Sequence, residues 1–108
     1  MTEVEWAKAR ADGAFDGSAV DHADGYIHLS TAAQVRETAA RHFAGRDRLV
    51  IVGVDASLVP DDVLRWEPSR GGDLFPHVYA PLALAWVTRA ESLALGPDGH
   101  RFPTWVPG

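Results

Sequence analysis

The chain has 108 residues, 46% of them apolar and 23% charged, which allows one folded domain and excludes a disordered segment. A formal charge of −5 provides no basic field against a phosphate backbone, so non-specific nucleic-acid binding is excluded and a small or neutral partner fits better. The absence of cysteine removes disulfides and thiolate metal sites, and the lack of a signal segment or an apolar run of membrane length predicts a cytoplasmic protein with no membrane partner.

The opening predicts a helix. Thr2 caps it, Glu5 three residues on completes a capping box, Val4, Ala7 and Ala11 recur at helical spacing, and Gly13 ends it. Residues 12–24, rich in glycine and aspartate, predict a loop leading into a strand at about Tyr26 to Leu29. Thr31 and Gln34 form a second capping box, followed by an apolar stripe through Ala32, Val35, Ala39, Ala40 and Phe43 that runs up to Gly45. Leu49 to Val54 is a continuous aliphatic run, which predicts a central strand covered on both faces, at the heart of the sheet. Asp55 to Asp62 reads as a turn region with room for one turn of helix.

Leu64 to Glu67 alternates strictly, so Leu64 and Trp66 face inward while Arg65 and Glu67 share the opposite face. Pro68 to Asp73, with Gly71-Gly72, is a flexible stretch placed to act as a lid. Phe75 to Tyr79 and Leu84 to Ala90 predict further strands, with Pro81 between them. Pro97-Asp98-Gly99 is a turn signal, after which Phe102 and Trp105 are expected to fold back onto the sheet. The order predicts a single α+β domain over residues 1–108, with two helices on a strongly bent, mostly antiparallel sheet. Its expected core is Ile27, Leu29, Val35, Phe43, Val50, Val52, Leu64 and Trp66.

Because side chains alternate along a strand, Tyr26, His28 and Ser30 share one side, and His77 and Tyr79 are paired in the same way. A histidine can move a proton at cellular pH, so His28 is a candidate catalytic residue with Ser30 beside it to orient a ligand. A half-buried structural histidine bonded to backbone would show the same pattern. Tyr79 can stack on a planar ligand ring or simply pack at a sheet edge. Arg65 can bind a carboxylate and Glu67 can act as a general base, or the two can form an exposed ion pair. Asp61-Asp62 reads as a helix cap or solvated turn. The five histidines lack tight ligand spacing, so no metal site is assigned. There is no glycine-rich phosphate loop, no Gly-x-Ser-x-Gly elbow and no cysteine nucleophile.

The run Asp24-Gly25-Tyr26-Ile27-His28-Leu29-Ser30-Thr31, then Arg41-His42-Phe43, Arg65-Trp66-Glu67-Pro68 and Leu74-Phe75-Pro76-His77-Val78-Tyr79, resembles the bacterial domain-of-unknown-function family 952 over about residues 6 to 103. That family is distantly similar to the ADP-ribosyltransferase fold. The resemblance implies a small transferase-like enzyme whose cleft takes NAD or another nucleotide. Its catalytic residues would be His28, Glu67 and His77, with Tyr26, Ser30, Arg65 and Tyr79 binding the ligand. In this reading Tyr79 stacks on a ring such as nicotinamide, and Glu67 or His77 polarises a ribose hydroxyl.

Family members usually begin with a strand of the Tyr-His-Ile-Thr kind ahead of the helix holding Trp6, whereas this chain opens Met1-Thr2-Glu3-Val4-Glu5-Trp6. A sheet edge left free in this way could pair with a second copy, giving a homodimer. The alternative functions are a non-catalytic binding or interaction module and an acid–base enzyme of specialised metabolism.

Overall fold

The computed structural model describes residues 1–107, and of Arg70 the backbone alone. Helix α1 (Glu3–Asp12) begins as its capping box requires: Thr2 Oγ1 accepts from the Glu5 N–H at 3.0 Å and Glu5 Oε1 accepts from the Thr2 N–H at 2.8 Å. Gly13 ends it in the left-handed conformation, where a side chain would be strained.

Residues 12–24 are not a loop. They hold a short strand β1 (Ala14–Phe15) and a second helix, α2 (Ala19–Asp24). Ser18 and Asp21 form another capping box, with aspartate doing the work usually given to glutamate. Six residues are too few for an apolar period to stand out, so this third helix leaves only its capping signal in the sequence.

After β2 (Ile27–His28), Thr31 and Gln34 exchange their expected bonds at 3.2 and 3.0 Å. They close an opening turn from which α3 (Val35–His42) continues. This helix stops short of Gly45.

The remaining strands are β3 (Leu49–Val54), β4 (Leu64–Pro68), β5 (Leu74–Val78), β6 (Leu82–Ala83), β7 (Val87–Gly96) and β8 (Gly99–Arg101). They form three antiparallel sheets, ordered β1-β6, β2-β5-β4 and β3-β7-β8, rather than one bent sheet. The strand expected from Leu84 starts at Val87, because residues 84–86 form a 3-10 turn. Pro97-Asp98 makes the turn of the β7–β8 hairpin.

The aliphatic run of β3 lies at a sheet edge, not at the centre. β7 pairs with one side of it, and among the described residues the other side pairs with the first residues, through a Thr2–Leu49 bridge and the Met1–Val50 backbone bonds. Its apolarity reflects the burial of Leu49, Val50 and Ile51, which an edge strand covered on its faces needs as much as a central one does.

Two apolar clusters hold the domain together. Ile27, Val59, Val78 and Leu82 form one, flanked by Leu29 and Leu64. Leu49, Ile51, Leu93 and Val106 form the other, flanked by Val35, Phe43, Phe102 and Trp105, so the tail does fold back. Val50 is buried and Val52 half-buried. Trp66 departs from expectation at 49% exposed. It faces the same way as Leu64 but stands opposite Pro76, two pairs further along β4, where the buried cluster has ended.

Candidate functional site

Sheet β2-β5-β4 carries the site. His28 on β2 stands opposite His77 on β5, and His77 stands opposite Arg65 on β4. Directly opposed residues in an antiparallel pair project to the same side, so the three form one row across the sheet. Glu67, two residues along β4 from Arg65, shares that side, and Tyr79, one residue past the end of β5, joins it through the bond of its hydroxyl to Glu67.

The rings close up on one another. Tyr26 stacks on His77 with centroids 4.2 Å apart, and lies 4.6 Å from His28 and 5.1 Å from Tyr79. The Arg65 guanidinium sits 5.1 Å from the Tyr79 ring centre, a cation–π contact.

Glu67 Oε1 accepts from the Tyr79 hydroxyl at 2.6 Å and from His77 Nδ1 at 2.8 Å. These bonds, the tyrosine's first and the histidine's second, hold the Glu67 carboxyl below its usual range and keep it ionised. The same bond to Glu67 pushes the Tyr79 phenol up, because losing its proton would set a phenolate against a carboxylate. Burial, then the charges of Asp24 and Glu67, push Tyr26 up as well. His77 itself is 3% exposed beneath Tyr26, so it acts on Glu67 rather than on solvent.

His28 is held from the other side by α2. Asp21 Oδ1 accepts from the His28 backbone N–H at 3.1 Å and from its Nδ1 at 2.6 Å, while Asp21 Oδ2 accepts from the Ser18 N–H at 2.8 Å. Burial raises the Asp21 carboxyl, but the Ser18 backbone bond and the His28 ring and backbone bonds outweigh it, leaving the group below its ordinary range. The outward ring nitrogen, Nε2, meets Asp24 Oδ2 at 2.9 Å.

Of the seven residues singled out from sequence, six gather here: Tyr26, His28, Arg65, Glu67, His77 and Tyr79. Ser30 does not. β2 ends at His28, and the Ser30 hydroxyl bonds Thr38 Oγ1 of α3 at 2.9 Å. Sequence reasoning missed Asp21 and Asp24. Asp21 could have been found through its Ser18-x-x-Asp21 spacing, whereas Asp24 carries no such signal.

An open cavity of about 250 Å³ adjoins the site, lined by Tyr26, Tyr79, Asp21, Pro81, Asp16 and His22 among others. A larger one, about 380 Å³, opens at the start of α1 beside Arg46 and Arg48 and contains none of the site residues. Among the described residues no group of three or more acidic or histidine side chains is arranged to hold a metal ion. None of their helices is long and apolar enough to cross a membrane.

No curated protein matches the sequence. The chain is similar to the protein CC0527 from Caulobacter crescentus. Against its crystal structure the identity is 49% and the TM-score 0.88, covering 93% of this chain and 87% of that one. The solution structure of CC0527 gives 49% identity and a TM-score of 0.81, covering 93% of this chain and 85% of the other. Residues 1–90 match the model of the family described as "Protein of unknown function (DUF952)". With that match and this degree of identity, the chain belongs to the DUF952 family.

Proposed function

We propose that the chain binds a nucleotide-sized small molecule on the Tyr26–His28–Glu67–Tyr79 face and acts there as a small transferase-like enzyme of the ADP-ribosyltransferase type, with NAD as the ligand to try first. The observation that carries this reading is the ionised Glu67 carboxylate, fastened by His77 and Tyr79 beside two partly exposed tyrosine rings. A carboxylate held in this way is a ready acceptor for a ligand hydroxyl, and exposed aromatic faces take planar rings. Arg65 adds a cation at the outer end of the row.

A second reading, a binding module without turnover, is supported by the completeness of the network. Both ring nitrogens of His28 already face carboxylates, and the Tyr79 hydroxyl is already bonded.

A thermal-shift titration with NAD, ADP-ribose and related nucleotides separates the outcomes, because a ligand that binds only the folded state raises Tm by mass action. A rise with one of them, lost in a folded His28→Ala variant, supports the cleft, and release of nicotinamide from NAD would then identify an enzyme. Binding without turnover supports the module. No rise with any nucleotide sinks the proposal.

A further inference from the structure

The geometry points to Asp24 as an internal occupant of the ligand's place: its carboxylate sits on His28 Nε2 where an anionic oxygen of the ligand, from a phosphate or a carboxylate, binds. This deepens the reading above and rests on it.

Three observations meet at this atom. His28 is anchored from behind through its backbone N–H and Nδ1 by Asp21, a residue only 7% exposed, so the direction in which Nε2 points is fixed. Nε2 faces outward, and the group that covers it is itself exposed: the side chains of His28 and Asp24 are 32% and 45% accessible. The covering group is an oxygen anion 2.9 Å away, which shows what chemistry that nitrogen accepts.

The two carboxylates on His28 are therefore not equivalent. Asp21 is built into the cap of α2 and cannot leave without exposing the Ser18 and His28 N–H groups. Asp24 is the last residue of α2, followed by Gly25 in the left-handed conformation, and an exposed pair of this kind is weak. A phosphate or carboxylate oxygen can displace it at little cost. Asp24 thus lowers affinity for anions by occupying the donor and by repelling them, and it selects ligands able to replace it.

The test compares the full chain with Asp24→Ala, His28→Ala and the double variant. Each is titrated with ADP-ribose, inorganic phosphate and acetate and followed by thermal shift and by the imidazole nitrogen signals of His28. Asp24→Ala is expected to bind ADP-ribose about two- to fivefold more tightly than wild type, the affinity equivalent of one exposed ion pair. That gain should vanish in the double variant. A gain for phosphate but not acetate assigns the oxygen to a phosphate, and the reverse assigns it to a carboxylate.

If wild type binds ADP-ribose and Asp24→Ala binds it no better, the inference fails and the nucleotide reading stands. If no nucleotide binds but phosphate or acetate moves the His28 signal in Asp24→Ala alone, the inference stands and the nucleotide reading fails. If none of the three ligands affects either protein, both are overturned.

Discussion

His28 and His77 face each other across β2 and β5 with ring centroids 5.4 Å apart, and the Tyr26 ring packs against both. Each imidazole meets a carboxylate through Nδ1, Asp21 for His28 and Glu67 for His77. The carboxylates come from unrelated places, one from a helix cap and one from the neighbouring strand. The sheet register sets where the rings stand, and the carboxylates set how they are turned.

Replacing Glu67 with glutamine removes the negative charge that both tyrosines sense. The chain has two tyrosines, so their phenolate absorbance reports Tyr26 and Tyr79 alone. In the wild-type protein both should titrate above the ordinary tyrosine value. In Glu67→Gln the Tyr79 transition should move down, since the Glu67 bond is the largest cause of its rise, while Tyr26 should move little, since burial and Asp24 outrank Glu67 there. Two unshifted transitions in wild type would remove the Glu67–Tyr79 bond from the site.

Asp21 should be the acid-sensitive joint of the molecule. Its folded carboxyl lies below the ordinary range, so the native state binds that proton less readily than the unfolded chain. The resulting stability is complete above about pH 4 and is lost as the pH falls through the folded value. Asp21→Asn should therefore cost on the order of 2 kcal/mol near neutral pH, where it strands N–H donors on a buried amide, and much less in strong acid. Urea unfolding of both proteins at several pH values measures the difference, and an equal gap at every pH would refute the assignment.

Most of the site was legible because strand alternation is a strong constraint. Once His28, Arg65, Glu67 and His77 are placed on strands, the register brings them together, and Tyr79 follows one residue past the end of β5. Ser30 lies outside the row because the strand stops two residues earlier and α3 offers its hydroxyl a partner. α2 and its two aspartates were hidden because a six-residue helix has no period to read, and a loop-like composition covered its cap. The placing of β3 at an edge was illegible for another reason: an apolar run reports burial of faces, and not how many neighbours a strand has.

Trp66 and Leu82 should answer unequally to truncation, the smaller residue losing more. Leu82 is 2% exposed within the first apolar cluster, so Leu82→Ala should cost about 2–5 kcal/mol through lost transfer energy and the cavity left behind. Trp66 is larger, yet half its surface is already in water, and Trp66→Ala should cost only about 1 kcal/mol or less. Chemical denaturation of the two variants tests this ordering. A Trp66→Ala loss as large as that of Leu82→Ala would return the tryptophan to the core.

Arg36 should hold the C-terminal segment in place. From α3 its Nε donates to the Pro107 carbonyl and its Nη2 to the Val106 carbonyl, both at 3.1 Å, while its guanidinium lies 4.6 Å from the Phe102 ring centre. The fork reaches two successive carbonyls and stacks on the ring at once, which a lysine's single ammonium cannot do. Arg36→Lys and Arg36→Ala should both loosen residues 102–107. Amide exchange there should speed up severalfold while β3 and β7 stay protected, as expected when a peripheral segment opens below the global stability. The cost in global stability should be small, about 1 kcal/mol, because one bond is exposed and the other only partly buried. If exchange in the tail is unchanged in both variants, its packing rests on Phe102, Trp105 and Val106 alone.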